Sequence, residues 1–289
     1  MARLGANRYG KSRVRLSRIT HVKDPQKGDR NDFNEWAVHV MLYGDFEASF
    51  TEADNSKVLP TDTMKNTVYY VARNSTAATI EAFAMELGDY FLDNNAQVAK
   101  VSVVIEDKAW ERMKIGGAPD TTTFRMGGPE LNTVLAVREK GKAWEVTSGV
   151  DELTILKTTK SAFTGYVVDK LTTLKPAADR IFGTRATIEW DYAAAAPDYA
   201  QVRARIVATL LTVFARHNSM SVQHTLFEMG KAALDAAPEI ARIHLSMPNL
   251  HHLLADLSPF GQDNPNHIFV PIDEPHGTIE ATIERETSA

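Results

Sequence analysis

The chain is 289 residues long, 44% hydrophobic, with 32 basic against 37 acidic side chains and a formal net charge of −5. Such a length and apolar content suit one large or two ordinary domains, and the scattered charges leave no broad basic footprint, so nucleic acid is not an expected partner. Cysteine is absent, which removes disulfides, thiolate catalysis, Cys-ligated zinc and iron–sulfur clusters together.

In chain order, Gly10 to Asp24 reads as extended, with Val14 and Leu16 on one face and Lys11, Arg13 and Arg15 on the other. A turn-rich loop from Asp24 to Asn34 follows, and Trp36, Val38, Val40 and Leu42 then alternate, which predicts a long antiparallel hairpin. The segment Val58 to Thr67 is dense in polar side chains and predicts a loop or helix start, with Thr61 and Asp62 capping a helical turn behind Pro60. A helix is expected from about Thr76 to Asp93, since Ile80, Phe83, Ala84, Leu87 and Phe91 recur at helical spacing. Val101 to Arg112 and Thr121 to Glu139 read as a strand pair joined by the turn Gly116 to Asp120.

Beyond Gly141 the order repeats without visible identity, so the predicted halves are 1–140 and 141–289. Strands are expected over Trp144 to Lys157 and Arg185 to Tyr192, with a polar, loop-like stretch from Thr158 to Arg180 that ends in a short helical piece. Four alanines, Pro197 and Asp198 introduce a helix with Val202, Ile206, Leu210, Val213 and Phe214 on one stripe, and a second helix spans about Ser221 to Ala236. Arg242 to Leu245, Leu250 to Leu257 and Ile279 to Ile283 complete the strands. The fold class is α+β, antiparallel sheets with helices on one face, and closing several copies into a barrel would cover the sheet edges.

Four polar clusters stand out. Arg8-Tyr9-Gly10-Lys11 places a lysine at a strand start, and Thr61-Asp62 offers a hydroxyl able to relay a proton or to cap a helix. Phe163, within Ser161 to Gly165, together with Asp179-Arg180 provides an aromatic plane and a guanidinium, which suit a flat anionic heterocycle or equally a core ring and a surface ion pair. Ser246 to His252 puts Asn249 and His251 on one strand face. No metal site is expected from His244, His251 and His252, because neighbouring strand residues point apart and no carboxylate pair sits at ligand spacing. Phosphate-binding glycine loops and a nucleophile elbow are missing too. No apolar run nears the roughly 20 residues that cross a bilayer. The first ten residues lack a secretory apolar centre and the terminal Thr287-Ser288-Ala289 is not the Ser-Lys-Leu address, so a cytoplasmic location is expected.

In this order, Arg8 to Lys11, Pro60 to Thr67, Gly149 to Thr159, Asp169 to Lys175, Asp179-Arg180-Ile181 and Ser246 to His251 resemble the urate oxidase (uricase) family, over about residues 7 to 286. That resemblance implies the tunnelling fold, with tandem halves of each chain forming part of a barrel and a homotetramer whose active sites lie at subunit interfaces. It implies oxidation of urate by dioxygen and water to 5-hydroxyisourate and hydrogen peroxide in purine degradation, with no metal and no organic cofactor. By the same likeness Lys11 and Thr61 form a proton-relay pair with His251 as third member, and Asn249 holds dioxygen. Arg180 and Gln223 grip opposite edges of urate, Phe163 stacks on it, and the backbone N–H groups of Val222 and Asp62 complete the binding. Thr61 and Asp62 are expected to act in a neighbouring subunit. Thr164 and Leu250 depart from the residues common at their positions, which bears on affinity and not on reaction type. A cyclohydrolase of the same fold is the competing enzyme reading, weakened because such enzymes commonly hold zinc partly by cysteine; a urate-binding protein without turnover is the non-enzyme reading.

Overall fold

Residues 2–26, 28–193 and 197–286 are described by the computed structural model, in which the chain divides into two units: Met1–Gly149 with Ala194–Tyr199, and Val150–Ala193 with Ala200–Ala289. In the first unit β1 (Tyr9–Val22), β2 (Arg30–Gly44), β3 (Val98–Ile115) and β4 (Ala118–Glu139) pair antiparallel in that order. Period-2 alternation drives the pairing: Val38, Val40 and Leu42 of β2 and Val101, Val103 and Ile105 of β3 are fully buried while their neighbours are not. Three helices, α1 (Glu47–Thr51), α2 (Thr61–Asn74) and α3 (Ile80–Asn94), separate the two strand pairs. The expected stripe of α3 is buried in full, at Ile80, Phe83, Ala84, Leu87 and Phe91, and each such large side chain contributes about 1.5–3 kcal/mol relative to its exposed state.

Several expectations are corrected. The helix expected from Thr76 begins at Ile80, after Thr79, whose hydroxyl accepts the Ala82 N–H at 3.3 Å. The polar segment opens a separate helix: α2 starts at Thr61, its N-cap is Pro60, and no side chain caps it, so Thr61 and Asp62 are first-turn residues and not caps. Only Met64, Val68 and Val71 of α2 are buried, a stripe of about one residue per turn, too narrow to announce a helix. The β3–β4 turn is also shorter than expected: Gly116 and Gly117, both at positive φ, make the whole connection, as a two-residue hairpin turn requires.

Strand β1 departs from strict alternation. Lys11 pairs with Val40 and Val14 with Val38, so three steps along β1 oppose two along β2, and Arg13 takes a left-handed conformation (φ 56°) at this bulge. Lys11 thereby sits on the same face as Val14, opposite fully buried Val40, and not with Arg15 as alternation predicts. Gly10 permits the close pairing, since a Cβ there would lie 1.9 Å from the Val40 carbonyl oxygen.

The second unit contains β6 (Phe182–Tyr192) beside most of β5 (Glu145–Lys157), then α4 (Tyr199–Arg216), α5 (Val222–Ala236), β7 (Ile240–Ser246), β8 (Asn249–Leu254), β9 (Phe269–Gly277) and β10 (Glu280–Glu284). β6 pairs with β7 and with β8, β7 with β10, and β8 with β9, all antiparallel. Its core joins Phe182, Ile188 and Trp190 of β6 to Val202, Ile206, Leu210 and Phe214 of α4 and to Leu226 and Met229 of α5; Val213, expected on the same stripe, is partly buried beside it. Ser221 is the N-cap of α5, its hydroxyl accepting the His224 N–H at 3.1 Å. Strand β9 was not expected because Pro271 and Pro275 interrupt its pattern, as edge positions tolerate. The stretch 158–180 has no helical end: it is loop with isolated bridges at Ser161 and Phe163. Three of the four alanines before α4 (194–196) and the terminal residues 287–289 lie outside the described residues. Among the described residues no helix is long and apolar enough to cross a membrane.

Candidate functional site

In the second unit the loop 158–180 folds back on itself. Phe163 and Ala177 exchange backbone hydrogen bonds (2.8 and 3.1 Å), and the Arg180 N–H donates to the Ser161 carbonyl at 2.8 Å. This brings the Arg180 guanidinium over the Phe163 ring, 5.3 Å from its centroid, and stacks Tyr166 on the same ring at 5.0 Å. Phe163, Arg180, Asn249 and His251 then line one cavity of about 130 Å³, with Leu174, Ile181 and Leu250 as apolar wall. Within it the Arg180 Nε is buried and has no hydrogen-bond partner among the described residues, and burial lowers the pKa of that group. An unpaired buried donor on a cation, beside an aromatic face, is suited to an anionic planar ligand.

Asn249 pairs with Thr184 of β6 and Gly277 of β9, and its Nδ2 lies 3.5 Å from His251 Nδ1 on the same strand face. Burial, then the positive charge of Arg180 and then His276, hold the His251 pKa below the usual imidazole value. Because the folded pKa is depressed, the stability from keeping His251 neutral is present above the unfolded pKa and is lost as pH falls through the folded one. His217 is lowered likewise, by burial first and then by His224 and Lys157. An NMR titration is therefore expected to find both imidazoles protonating below the ordinary range. His276→Gln should raise only the His251 midpoint, and only part way, because burial is the larger cause. An unmoved His251 midpoint would remove His276 from its surroundings.

Val222 is the first residue of α5, where N–H groups have no partner within the helix, and Gln223 follows it on the exposed side. Neither lines the cavity, but the lead into α5 is hydrogen-bonded to the Phe163 loop: the Ala162 N–H donates to the Ser219 carbonyl at 2.7 Å.

Lys11, Thr61 and Asp62 belong to the first unit. The half-buried Lys11 is delivered by the β1 bulge, and the Leu59 N–H donates to the Tyr9 hydroxyl at 2.8 Å, which ties the approach to α2 to the strand that carries the lysine. Asp62, exposed in the first turn of α2, accepts from Lys65 (2.5 Å) and Asn66 (3.2 Å). Its carboxyl is held below the usual range by Lys65 first, with Asn66 and Lys11 adding to the effect. A larger groove of about 600 Å³ between β1 and α2 contains none of the candidate residues, and its Arg18 is committed to the Ser75 and Ala77 carbonyls. Among the described residues no group of three or more His, Asp and Glu side chains is placed to hold a metal. Sequence reasoning missed Tyr9, Tyr166 and His276, whose contacts depend on partners distant in the chain or on loop geometry; Tyr166, three residues after Phe163 beside Gly165, offered the one local signal.

Fold and cavity together define an α+β protein with a cationic, aromatic-walled site. A profile of the uricase family matches residues 7–137 and 146–280. The chain belongs to that family, and with it to the oxidoreductase enzymes. It is 39% identical to the uricase of Arthrobacter globiformis over 285 residues, covering 99% of this chain and 91% of that protein. To the uricase of Dictyostelium discoideum it is 37% identical over 289 residues, covering 100% and 99%. The crystal structure of the Arthrobacter globiformis uricase matches with a TM-score of 0.91 over 100% of this chain and 97% of that one. At 23% identity, a Bacillus fastidious uricase shares the fold with a TM-score of 0.82, covering 97% and 94%.

Proposed function

We propose that this chain oxidises urate with dioxygen and water to 5-hydroxyisourate and hydrogen peroxide, in purine degradation, without a metal or organic cofactor. The observation that carries the reading is the half-buried Arg180 guanidinium, its buried Nε unpaired among the described residues, over Phe163 in the cavity shared with Asn249 and His251. The electron balance suits a protein-only site: urate gives up two electrons, dioxygen takes them and leaves as peroxide, and water supplies the oxygen of the new C–OH. What the protein provides is deprotonation, orientation and a shielded place for dioxygen.

In this reading Arg180 binds one edge of urate with its fork, Gln223 the other through its amide, and Phe163 stacks on the ring, while the N–H groups of Val222 and Asp62 complete the contacts. Lys11 and Thr61 relay the proton, with His251 as third member, and Asn249 holds first dioxygen and then the attacking water. Thr61 and Asp62 act on the site of a neighbouring copy in a homotetramer of tunnelling-fold halves, 1–140 and 141–289. Two features support assembly: β1 and β10 leave sheet edges without a strand partner among the described residues, and a cavity of about 130 Å³ falls below the roughly 300 Å³ at which ligand pockets begin.

The test is chelator-treated protein mixed with urate in an oxygen electrode, with ultraviolet absorbance followed in the same cell. Equal loss of urate and dioxygen with peroxide appearing is the expected result. Activity lost on chelation and restored by a metal would overturn the cofactor-free mechanism, and urate binding without oxygen uptake would favour a binding protein.

A further inference from the structure

We propose that Lys157, which the reaction does not use directly, is a positioning residue that sets the distance between the two edges of the urate site. The inference rests on the urate reading above and concerns how its binding groups are held in register. Lys157 is the last residue of β5. Its Nζ donates to the carbonyls of His217 (2.6 Å) and Phe214 (3.4 Å) and lies 5.6 Å from the centroid of the Phe214 ring. Both carbonyls belong to the end of α4 and the turn after it, where carbonyls lack helical partners and a cation is favoured.

From this anchor the strip 157–163 runs between two groups of binding residues. On one side the Ser219 N–H donates to the Lys160 carbonyl (2.9 Å) and the Ala162 N–H to the Ser219 carbonyl (2.7 Å), which fixes the turn leading into Val222 and Gln223. On the other side the Asp179 carboxylate accepts from the Thr159 hydroxyl (2.5 Å) and the Ser161 N–H (3.2 Å), and the Arg180 N–H donates to Ser161. Ser161 and Ser219 are both 1% exposed, so the middle of this clasp is shielded from bulk solvent. Loss of the Lys157 ammonium frees the 217–221 turn, and Val222 and Gln223 then drift relative to Arg180. Urate gripped at opposite edges loses affinity, whereas Lys11 on β1, and Thr61 on α2 of the neighbouring copy, lie outside the clasp.

The experiment compares full-length wild type, Lys157→Met and Thr159→Val in steady-state turnover and in equilibrium dialysis of urate under nitrogen, with folding followed by circular dichroism. Lys157→Met is expected to raise KM and the anaerobic Kd about tenfold while kcat stays within about twofold. Thr159→Val changes an exposed hydroxyl, leaves the end of α4 intact and should show the same split at about threefold. If Lys157→Met does not fold, Lys157→Gln, whose amide can still donate to one of the two carbonyls, decides by the same split at a smaller factor. Folded variants with unchanged KM, or with kcat falling as much as kcat/KM, overturn the clasp while leaving the urate reading standing. A wild type that neither binds nor oxidises urate sinks both.

Discussion

Replacing Lys11 by alanine is expected to lower kcat for urate oxidation by about 10²–10⁴-fold, the usual worth of a positioned proton-transfer group, with KM moving by less than about threefold. The asymmetry follows from where the groups lie. Arg180, Phe163 and Gln223, which hold urate in the proposed mechanism, belong to the second unit, and truncating a side chain on β1 leaves them as they were. Lys11 is placed with care: the bulge turns it to the face of Val14 and Val40, and Gly10 allows the strand approach that carries it. Thr61→Ala should produce a similar loss, and Thr61→Ser, which keeps a hydroxyl, should recover much of it. Steady-state rates from urate absorbance check all three. Full turnover in Lys11→Ala would remove the lysine from the relay.

Arg180→Lys should raise KM for urate by about 10- to 100-fold, the equivalent of roughly 1.5–3 kcal/mol for a hydrogen bond to a charged group. A guanidinium presents parallel donors in a fixed plane, whereas an ammonium is a point charge that cannot hold two acceptors of a flat ring at once. The substitution keeps the positive charge that helps lower the His251 pKa, so the acid limb of the pH profile should stay near its wild-type place. A KM change with an unmoved acid limb therefore reports geometry and not charge. Unchanged KM would argue against the clamp and return the unpaired Nε to being a local packing defect.

Much of the architecture was legible because it obeys simple periods: the stripes of β2 and α3 are buried as their spacing predicts, and that of α4 is buried but for Val213, which is partly covered. What escaped did so for particular reasons. Helix α2 buries one residue per turn and exposes Tyr69 and Tyr70, so its apolar content points both ways. Strand β9 carries prolines that a central strand would reject. In β1 nothing marks the bulge, because its left-handed residue is an arginine, and so Lys11 was assigned to the wrong face. The cavity residues were recognisable as a set through family resemblance, whereas period and propensity alone yielded only a possible anion pocket. Lys157 was invisible as an anchor because it binds backbone carbonyls 57 and 60 residues further on, and carbonyls have no sequence signature.

In the proposed mechanism the bulge sets stability and activity against each other within one strand. A non-glycine residue at φ 56°, as Arg13 is, carries about 1–2 kcal/mol of left-handed strain, and it does so two positions from the proposed base. Selection for heat resistance alone would relax that backbone, by glycine at 13 or by a shorter, regular strand. Either change would loosen or relocate the lysine before it weakened the core, so a more robust variant obtained here should be judged by its turnover before its melting temperature.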